Sequence, residues 1–598
     1  MESAATLNDW PLVQLSRAFT PTAASIPDQK ALKRVHVETS QINLTPLNPV
    51  SFLIRAANIY PNKLAVAHPF TDSPVFYSYG QLAQRSVNLA HALQKISNIK
   101  PGDRVAVLAP NCPMILEAHF GVPAARAILN PINSRLSPQD ISYVLEHSGS
   151  KLLLVDHSLL SQVQGLPLIK EGKCQLIISK DSGSSNDCAY ERYLEEGRRL
   201  SGEEGWMKLT LESDENAPMA LCYTSGTTGR PKGVVTTYRG SYLGSISNVI
   251  EGRLNTDGDS VYLWTLPMFH ASGWTYPWAV TAAFGTHLLL RQIDYEHIWR
   301  AFSVYNVTHY CAAPTVQIGI VNHEKARRIV GRRINAIIAA SAPTATLLES
   351  LENLGIDIAH VYGLTETYGP LTRGYSYPSW RELDAKGRSV QMSRQGQNYV
   401  TADEVRVVRV EKEEDGRVHA KLPLEDVPRD GITIGEIVMR GNLVMMEYYN
   451  NPEATKEAFA GGWFHSGDLA VRHPNGAIAI ADRSKDIIIS GGENVSSLEV
   501  ESALSGHEDV LEAYAVARSD IRWGERPMAF KWKGREREFE ELLKEYSKKV
   551  LAGYKRPHWI EVVDALPKTS TGKIQKFVLR GWAADRNRAS VGGNKAKL

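Results

Sequence analysis

From Pro49 onward the apolar positions fall into two alternating rhythms. Leu64–Ala67 and Phe76–Ser78 are short apolar runs that predict strands, and Tyr79–Ile96 repeats its apolar residues at helical spacing. Asp103–Leu108 (DRVAVL), opened by the turn Lys100–Pro101–Gly102, predicts a buried strand. A helix through Met114–Ala124 and a second buried strand at Lys151–Val155 follow. Met219–Thr224, Val261–Leu266 and His287–Leu290 continue the strands, while Glu404–Val410, Glu436–Met439 and Ala477–Ala481 are richer in strand pattern. The alternation predicts α/β layers around a largely parallel sheet, with an all-β piece late in the large domain. Lys180–Asp187 (KDSGSSND) reads as a polar loop.

Length changes the picture next. A chain of 598 residues exceeds one compact core, so at least two domains are expected. Residues 1–46 are polar with no clear period and read as an extension on the surface. Residues 47–484 form the large domain. The sequence turns charged near Asp482–Asp486, and residues 485–585 carry their own strand–helix alternation as a small C-terminal domain. There Glu536–Val550 predicts an amphipathic helix with a solvated charged face. Residues 586–598 are a polar tail.

Composition mostly excludes. Lys plus Arg total 67 against 65 for Asp plus Glu, a formal charge of +2, which argues against an electrostatic nucleic-acid binder. Cys112, Cys174, Cys188, Cys222 and Cys311 are scattered and odd in number, so neither a disulfide framework nor a structural zinc site is expected. No apolar run is long enough to span a membrane, and Met1–Ala23 lacks the pattern of a secretory signal.

The chemistry begins at Tyr223–Gly233 (YTSGTTGRPKG). Its glycines permit close backbone approach, Ser225, Thr227 and Thr228 carry hydroxyls, and Lys232 adds a cation, which are the properties needed to hold a triphosphate. The loop follows a strand and precedes a segment that can be helical. It is not a Walker A loop, because position 231 is Pro where that pattern requires Gly.

This segment resembles the signature loop of the adenylate-forming (AMP-binding) superfamily of acyl- and aryl-CoA ligases, luciferases and peptide-synthetase adenylation domains. In order follow Pro267–Trp274 (PMFHASGW), Val361–Pro370 (VYGLTETYGP), Gly462–Leu469 (GWFHSGDL), Asp482–Asn494 (DRSKDIIISGGEN) and Leu566–Gln575 (LPKTSTGKIQ). The resemblance runs from about residue 47 to 585. Within the superfamily, Ser484–Glu501 (SKDIIISGGENVSSLEVE) is similar to the cinnamate/benzoate- and medium-chain-acyl-CoA ligase branch.

The resemblance implies two steps. A carboxylic acid, medium-chain fatty or aromatic, reacts with ATP–Mg²⁺ to give acyl-AMP and diphosphate, and coenzyme A then takes the acyl group. It implies Lys573 as the lysine that offsets charge during adenylation, with Thr224, Ser225, Gly226, Thr227, Thr228, Gly229 and Lys232 around the phosphates. Thr365 bonds the α-phosphate, Glu366 contacts Mg²⁺, Tyr362 stacks on adenine, Asp468 accepts both ribose hydroxyls, and Arg483 reaches ribose or phosphate. Lys485 is the implied hinge, about which the small domain brings Gly491 and Gly492 to a pantetheine tunnel. His270 is implied beside the acyl pocket, and Tyr310, Ala312 and Ser341 in its lining, within His309–Ile318 and Ala339–Thr344.

Some positions depart from the commoner pattern: Ala271–Ser272, Thr236–Thr237–Tyr238 where relatives carry histidine, and Ala339–Pro343 (AASAP) in place of a glycine-rich version. Tyr238 is expected to fill the missing histidine's space. The ending Ala596–Lys597–Leu598 is similar to the S-K-L peroxisomal address, which implies an import receptor as partner and the peroxisome as location, with the cytoplasm as alternative. The competing readings are a free-standing adenylase loading a carrier-protein thiol, a luciferase-like oxygenase, and a binding protein with a ruined site.

Overall fold

The computed structural model describes residues 11–28, 30–33, 43–180, 188–224, 230–339, 345–412, 418–483, 486, 488–490, 493–507, 509–510, 512–520, 524–532, 538–563, 566–568 and 574–593. Apart from the segment after the glycine-rich loop, the expected strands and helices are present with ends moved by a residue or a few, and Glu404–Val410 divides into Val405–Val408 and Val410–Lys412.

Two sheets make up most of the large domain. In one, Ile356–Leu364, Ile334–Ile338, His309–Ala312, Val261–Trp264, Thr286–Leu289 and Leu64–His68 lie side by side in parallel, with antiparallel strands at both edges. In the other, Pro218–Thr224, Ile128–Pro131, Arg104–Leu108, Leu152–Asp156 and Gln175–Ser179 run parallel. Strands such as Leu152–Asp156 are buried along their whole length, as expected of parallel sheets covered on both faces. The helix Pro113–Ala124 is buried on every side, and Tyr79–Lys95 nearly so, so both belong to the largest core. A capping box fixes the start of the second: the Ser78 hydroxyl accepts from Gln81 N–H while the Gln81 side chain accepts from Ser78 N–H.

The late all-β piece is a four-stranded antiparallel sheet of Val405–Val408, Gly435–Met439, Phe464–Arg472 and Ile478–Arg483. The C-terminal segment has its own sheet, centred on Glu512–Asp520 and Gly524–Trp532, and its own core around Ile488, Val500, Ala515 and Leu543.

Two expectations change. The segment after the glycine-rich loop is a strand, Lys232–Thr237, paired antiparallel with Pro218–Thr224; the helix begins only at Tyr238. Val234, Val235, Thr236 and Thr237 are β-branched, and the pairing buries the first three of them. The described part of residues 1–46 is more than surface extension. Leu12, Ala24 and Leu32 are buried, and Ala24 carbonyl accepts from the buried Asn88 side chain at 2.8 Å. Arg85 in the same helix bonds the Ser25 hydroxyl at 3.0 Å and bridges Glu117 and Glu191 at 2.7 and 2.6 Å.

Candidate functional site

The hairpin of Pro218–Thr224 and Lys232–Thr237 sets Thr224 opposite Lys232, so both ends of the glycine-rich loop are held together. Ser225, Gly226, Thr227, Thr228 and Gly229 themselves lie outside the described residues. The Lys232 ammonium stands 4.7 Å over the ring of Tyr448, whose hydroxyl donates to Glu366 Oε1 at 2.9 Å. The base of the loop and the implied metal-contacting acid are thus joined through one tyrosine. Burial pushes the Glu366 carboxyl above its ordinary range, and the hydrogen bonds from its own backbone and from Tyr448 pull the other way.

Glu366 sits in a short 3₁₀ turn, Thr365–Thr367, at the end of the strand Ile356–Leu364. Thr365 carbonyl accepts from Tyr368 N–H, and the Thr367 hydroxyl donates to Gly369 carbonyl at 2.8 Å. Tyr368 wires the turn to the hairpin, its hydroxyl accepting from Thr237 N–H at 2.6 Å. Gly363 is needed because the chain folds back on itself here: a Cβ at that position would lie 1.8 Å from Gly369 O.

Asp468 and Arg483 are opposite each other on neighbouring antiparallel strands. Arg483 Nε lies 3.3 Å from Asp468 Oδ1, and the Tyr362 hydroxyl donates to Asp468 Oδ2 at 2.8 Å. The Asp468 carboxylate holds the Arg483 guanidinium above its ordinary value. Behind this trio, the buried Glu436 accepts from Gly467 N–H at 3.0 Å and from Ala420 N–H at 2.9 Å, and meets His465 Nδ1 at 3.2 Å. The turn that presents Asp468 is therefore fixed from beneath.

His270 opens a turn whose next five residues, Ala271 to Thr275, all have φ between 45 and 60°. Four of them are not glycine, and each costs about 1–2 kcal/mol in this left-handed region. The turn is held from one side by Asn248, whose Nδ2 donates to Trp274 carbonyl at 2.6 Å and to Thr275 Oγ1 at 2.9 Å. From the other side Gly369 leaves room, since a Cβ there would lie 2.8 Å from Trp274 Cβ. His270 is half-buried at the entrance of a turn packed against the Glu366 segment.

The structure thus brings together Thr224, Lys232, Tyr362, Thr365, Glu366, Asp468 and Arg483, with the His270 turn beside them. It does not bring Tyr310 or Ala312 into that group. Both point into the second core, where Tyr310 packs on Phe302 and its hydroxyl donates to Gln317 Oε1 at 2.7 Å. Their neighbour Cys311 faces the opposite, larger core with Trp264 and Ile337. Tyr238 also departs from expectation: it is buried away from the loop with its hydroxyl on Pro123 carbonyl at 3.0 Å, and Tyr368 takes the place beside Thr237. Ser341, Lys485, Gly491, Gly492 and Lys573 lie outside the described residues. So does the tail Ala596–Leu598.

Tyr448, Tyr368, Asn248 and the Glu436–His465 pair were not anticipated. Tyr368 and His465 lie inside two of the motifs, but Thr237 and Glu436, which they meet, are 131 and 29 positions away, and no motif covers Tyr448, Asn248 or Glu436.

Among the described residues no group of three or more His, Cys, Asp or Glu side chains could hold a metal. One carboxylate, Glu366, still fits Mg²⁺, which keeps several waters and is commonly held by one or two carboxylates plus substrate phosphates. No helix of the described residues is long and apolar enough to cross a membrane.

Comparison with known proteins extends this. Residues 53–449 match the family described as AMP-binding enzyme, and residues 499–573 its C-terminal domain. An acetate–CoA ligase of Humulus lupulus is 40% identical over 568 residues, covering 91% of this chain and 96% of its own. A peroxisomal acetate/butyrate–CoA ligase of Arabidopsis thaliana is 40% identical, covering 91% and 95%. A peroxisomal trans-cinnamate:CoA ligase of Petunia hybrida is 36% identical, covering 90% and 95%. Among solved structures, ATP-bound MatB from Rhodopseudomonas palustris shares the fold with a TM-score of 0.75 at 23% identity, covering 90% of this chain and 99% of that one. The o-succinylbenzoate CoA synthetase of Bacillus subtilis, in complex with its acyl-adenylate intermediate, matches with a TM-score of 0.69 at 25% identity, covering 89% and 97%.

Proposed function

The chain belongs to the AMP-binding enzyme family, and on that premise we propose that it is an ATP-dependent acid–thiol ligase making acyl-CoA by way of acyl-AMP. The observation that carries this reading is the Tyr362–Asp468–Arg483 trio set beside Glu366 and the Thr224–Lys232 hairpin. A nucleoside triphosphate needs an acceptor for its ribose hydroxyls, donors for its phosphates and a carboxylate for the accompanying Mg²⁺, and these three needs are met side by side.

A carboxylate is a poor acyl donor because its leaving group would be oxide. Joining it to the α-phosphorus of ATP replaces that leaving group with AMP and releases diphosphate; the thiolate then attacks the acyl carbon and AMP departs. The protein's part is positioning and electrostatics. Asp468, steadied by Tyr362 and Arg483, fixes the ribose. Lys232 and the loop it closes hold the phosphates, Thr365 donates to the α-phosphate, and Glu366 holds Mg²⁺, which supplies charge neutralisation on the phosphates. Lys573 bridges the carboxylate and α-phosphate oxygens during the first step. His270 stands at the acyl side, at the head of the left-handed turn that Asn248 holds. Lys485 is the hinge, and Gly491 and Gly492 leave room for the thiol arm in the second step.

The acid is read as a monocarboxylate with an aliphatic or aromatic tail, supported by relatives named for acetate, acetate/butyrate, 2-methylpropanoate and trans-cinnamate. The tail Ala596–Lys597–Leu598 and the peroxisomal names of several relatives support import into the peroxisome through a receptor for that tripeptide.

The test is thioester formation from ATP, Mg²⁺ and coenzyme A across acids from acetate to long fatty acids, benzoate and cinnamates, beside Lys573→Ala. AMP and a thioester with the wild type, lost in the variant, are expected. Acid-dependent ATP–diphosphate exchange with no thioester would replace coenzyme A with a carrier-protein thiol as acceptor. Absence of both would overturn the ligase reading.

A further inference from the structure

Three residues beyond Lys573, a chain of buried polar groups ties the small domain to the large one, and none of the roles above uses it. Lys576 begins the helix Lys576–Gly593 and its side chain is only 14% exposed. Its ammonium lies 2.8 Å from Glu501 Oε1 and donates to the Ser497 hydroxyl at 2.5 Å. Glu501 and Ser497 share one helix, Ser497–Ser505, and Glu501 also accepts from Ala515 N–H at 3.0 Å. Up to this point the contacts stay within the small domain.

Ser497 carries them further. Its backbone N–H donates to Asp482 Oδ2 at 2.6 Å, and Asp482 lies in the last strand of the large domain, fully buried. The Asp482 Oδ1 atom accepts from Arg483 N–H at 2.8 Å, and the Arg483 side chain faces Asp468. One residue earlier the Ser496 hydroxyl bonds Ala481 carbonyl, a second contact between the same two segments. A continuous path therefore runs from the start of the helix after Lys573, through Ser497 and Asp482, to the acid beside Tyr362.

The path crosses position 485. Ser497 and Asp482 lie on opposite sides of that hinge, so a rotation of the small domain that carries Ser497 away from Asp482 has to break this bond. Burial raises the Asp482 carboxyl above its ordinary range, and the Lys576 charge, with the bonds from Ser497 and Arg483, opposes that rise and so favours the charged form that holds Ser497. Asp486, paired with Arg580, completes the charges that face Lys576.

We propose that Lys576 is a positioning residue: with Glu501 and Ser497 it latches the small domain to Asp482 in the described pose, and the latch opens when the enzyme passes between its two half-reactions. The proposal rests on the two-step reading above. Loss of Lys576 therefore changes the balance between the half-reactions rather than either site's chemistry.

The experiment uses the full chain with cysteines introduced at two exposed positions, Val330→Cys in the large domain and Leu542→Cys in the small one, spin-labelled for distance measurement. The described native cysteines Cys112, Cys174, Cys188, Cys222 and Cys311 are buried and so are poor labelling sites. Lys576→Met, Lys576→Arg and Glu501→Gln are compared with wild type. In parallel, ATP–diphosphate exchange and thioester formation from preformed acyl-adenylate are measured separately. The expected result is a new or broadened distance population for K576M, largely restored in K576R, with the ratio of the two half-reaction rates changed at least tenfold. If K576M fails to fold, E501Q, which keeps the side-chain shape, is expected to show the same changes in smaller degree. An unchanged distance distribution, or both half-reactions falling in parallel with the melting temperature, would overturn the latch. Should the wild type show neither half-reaction, the ligase reading fails, while the label distances still decide whether the latch holds the two domains.

Discussion

The acceptor count at Asp468 makes a quantitative prediction. An ionised carboxylate offers about four acceptor sites. In the structure one is taken by the Tyr362 hydroxyl at 2.8 Å and one faces Arg483 Nε at 3.3 Å, which leaves two for the two ribose hydroxyls. Asp468→Asn keeps the shape but leaves a single oxygen with two lone pairs, and turns the other arm into a donor aimed at Arg483. One site stays with Tyr362, so at most one ribose hydroxyl keeps its acceptor, and the bond that survives loses its charge assistance. A charge-assisted bond contributes about 1.5–3 kcal/mol and a neutral one about 0.5–1.5. Losing one and weakening the other therefore costs about 3 kcal/mol, roughly 150-fold in kcat/KM for ATP. The assay is ATP–diphosphate exchange with ATP and with 2′-deoxy-ATP, on wild type and variant. Wild type should lose about tenfold or more with the deoxynucleotide, and the variant only about twofold, because its second acceptor is already gone. If the variant discriminates the two nucleotides as strongly as wild type does, Asp468 does not receive the 2′-hydroxyl and the acceptor argument is wrong.

Three further outcomes follow from the packing. Gly363→Ala puts a Cβ 1.8 Å from Gly369 O and should cost more than about 3 kcal/mol in urea unfolding, whereas Gly467→Ala, with open space but φ of 69°, should cost only about 1–2; equal losses would refute the clash. Arg85→Met leaves Glu117 and Glu191 buried without their cation and should destabilise by about 3–5 kcal/mol, with Glu117→Gln in the same chain recovering part of it; a change under about 1 kcal/mol would show that the pair is not needed. Burial works against charge on His465, but the hydrogen bond and charge of Glu436 outweigh it and raise its pKa. Its stabilising contribution is then complete below about pH 6.5 and fades as pH rises through the raised folded value. The melting-temperature gap between wild type and His465→Asn should accordingly narrow from pH 6 to pH 9, and a gap that widens would reverse the sign.

Local pattern carried a great deal. Apolar runs of four to six residues bounded by turn residues marked the buried strands, because a strand covered on both faces has to be apolar throughout. The six motifs carried the resemblance to the family because each lies on a short stretch of chain, and the glycine-rich loop by itself pointed to a triphosphate. What was missed has a common cause. Lys232–Thr237 took the form of a strand because Pro218–Thr224 was there to pair with it, and its β-branched residues only tolerated either outcome until then. Strand alternation required Tyr310 and Ala312 to share one face and Cys311 the other, but which face met the site depended on how the sheets stack.

The residues that complete the site show the same division. Lys232 could be named from the chemistry of its own loop, whereas Asp468 and Glu366 were named through the family resemblance of the motifs that carry them. Tyr448 reaches Glu366 from 82 positions away, Tyr368 reaches Thr237 from 131, and Tyr362 reaches Asp468 from 106. No periodicity extends over such separations. A motif is a short run of neighbouring residues, so one chain read in order suffices to recognise the family it resembles. The distances, buried charges and packing that turn those side chains into a site arise when remote segments share one core, and they exist only in the folded molecule.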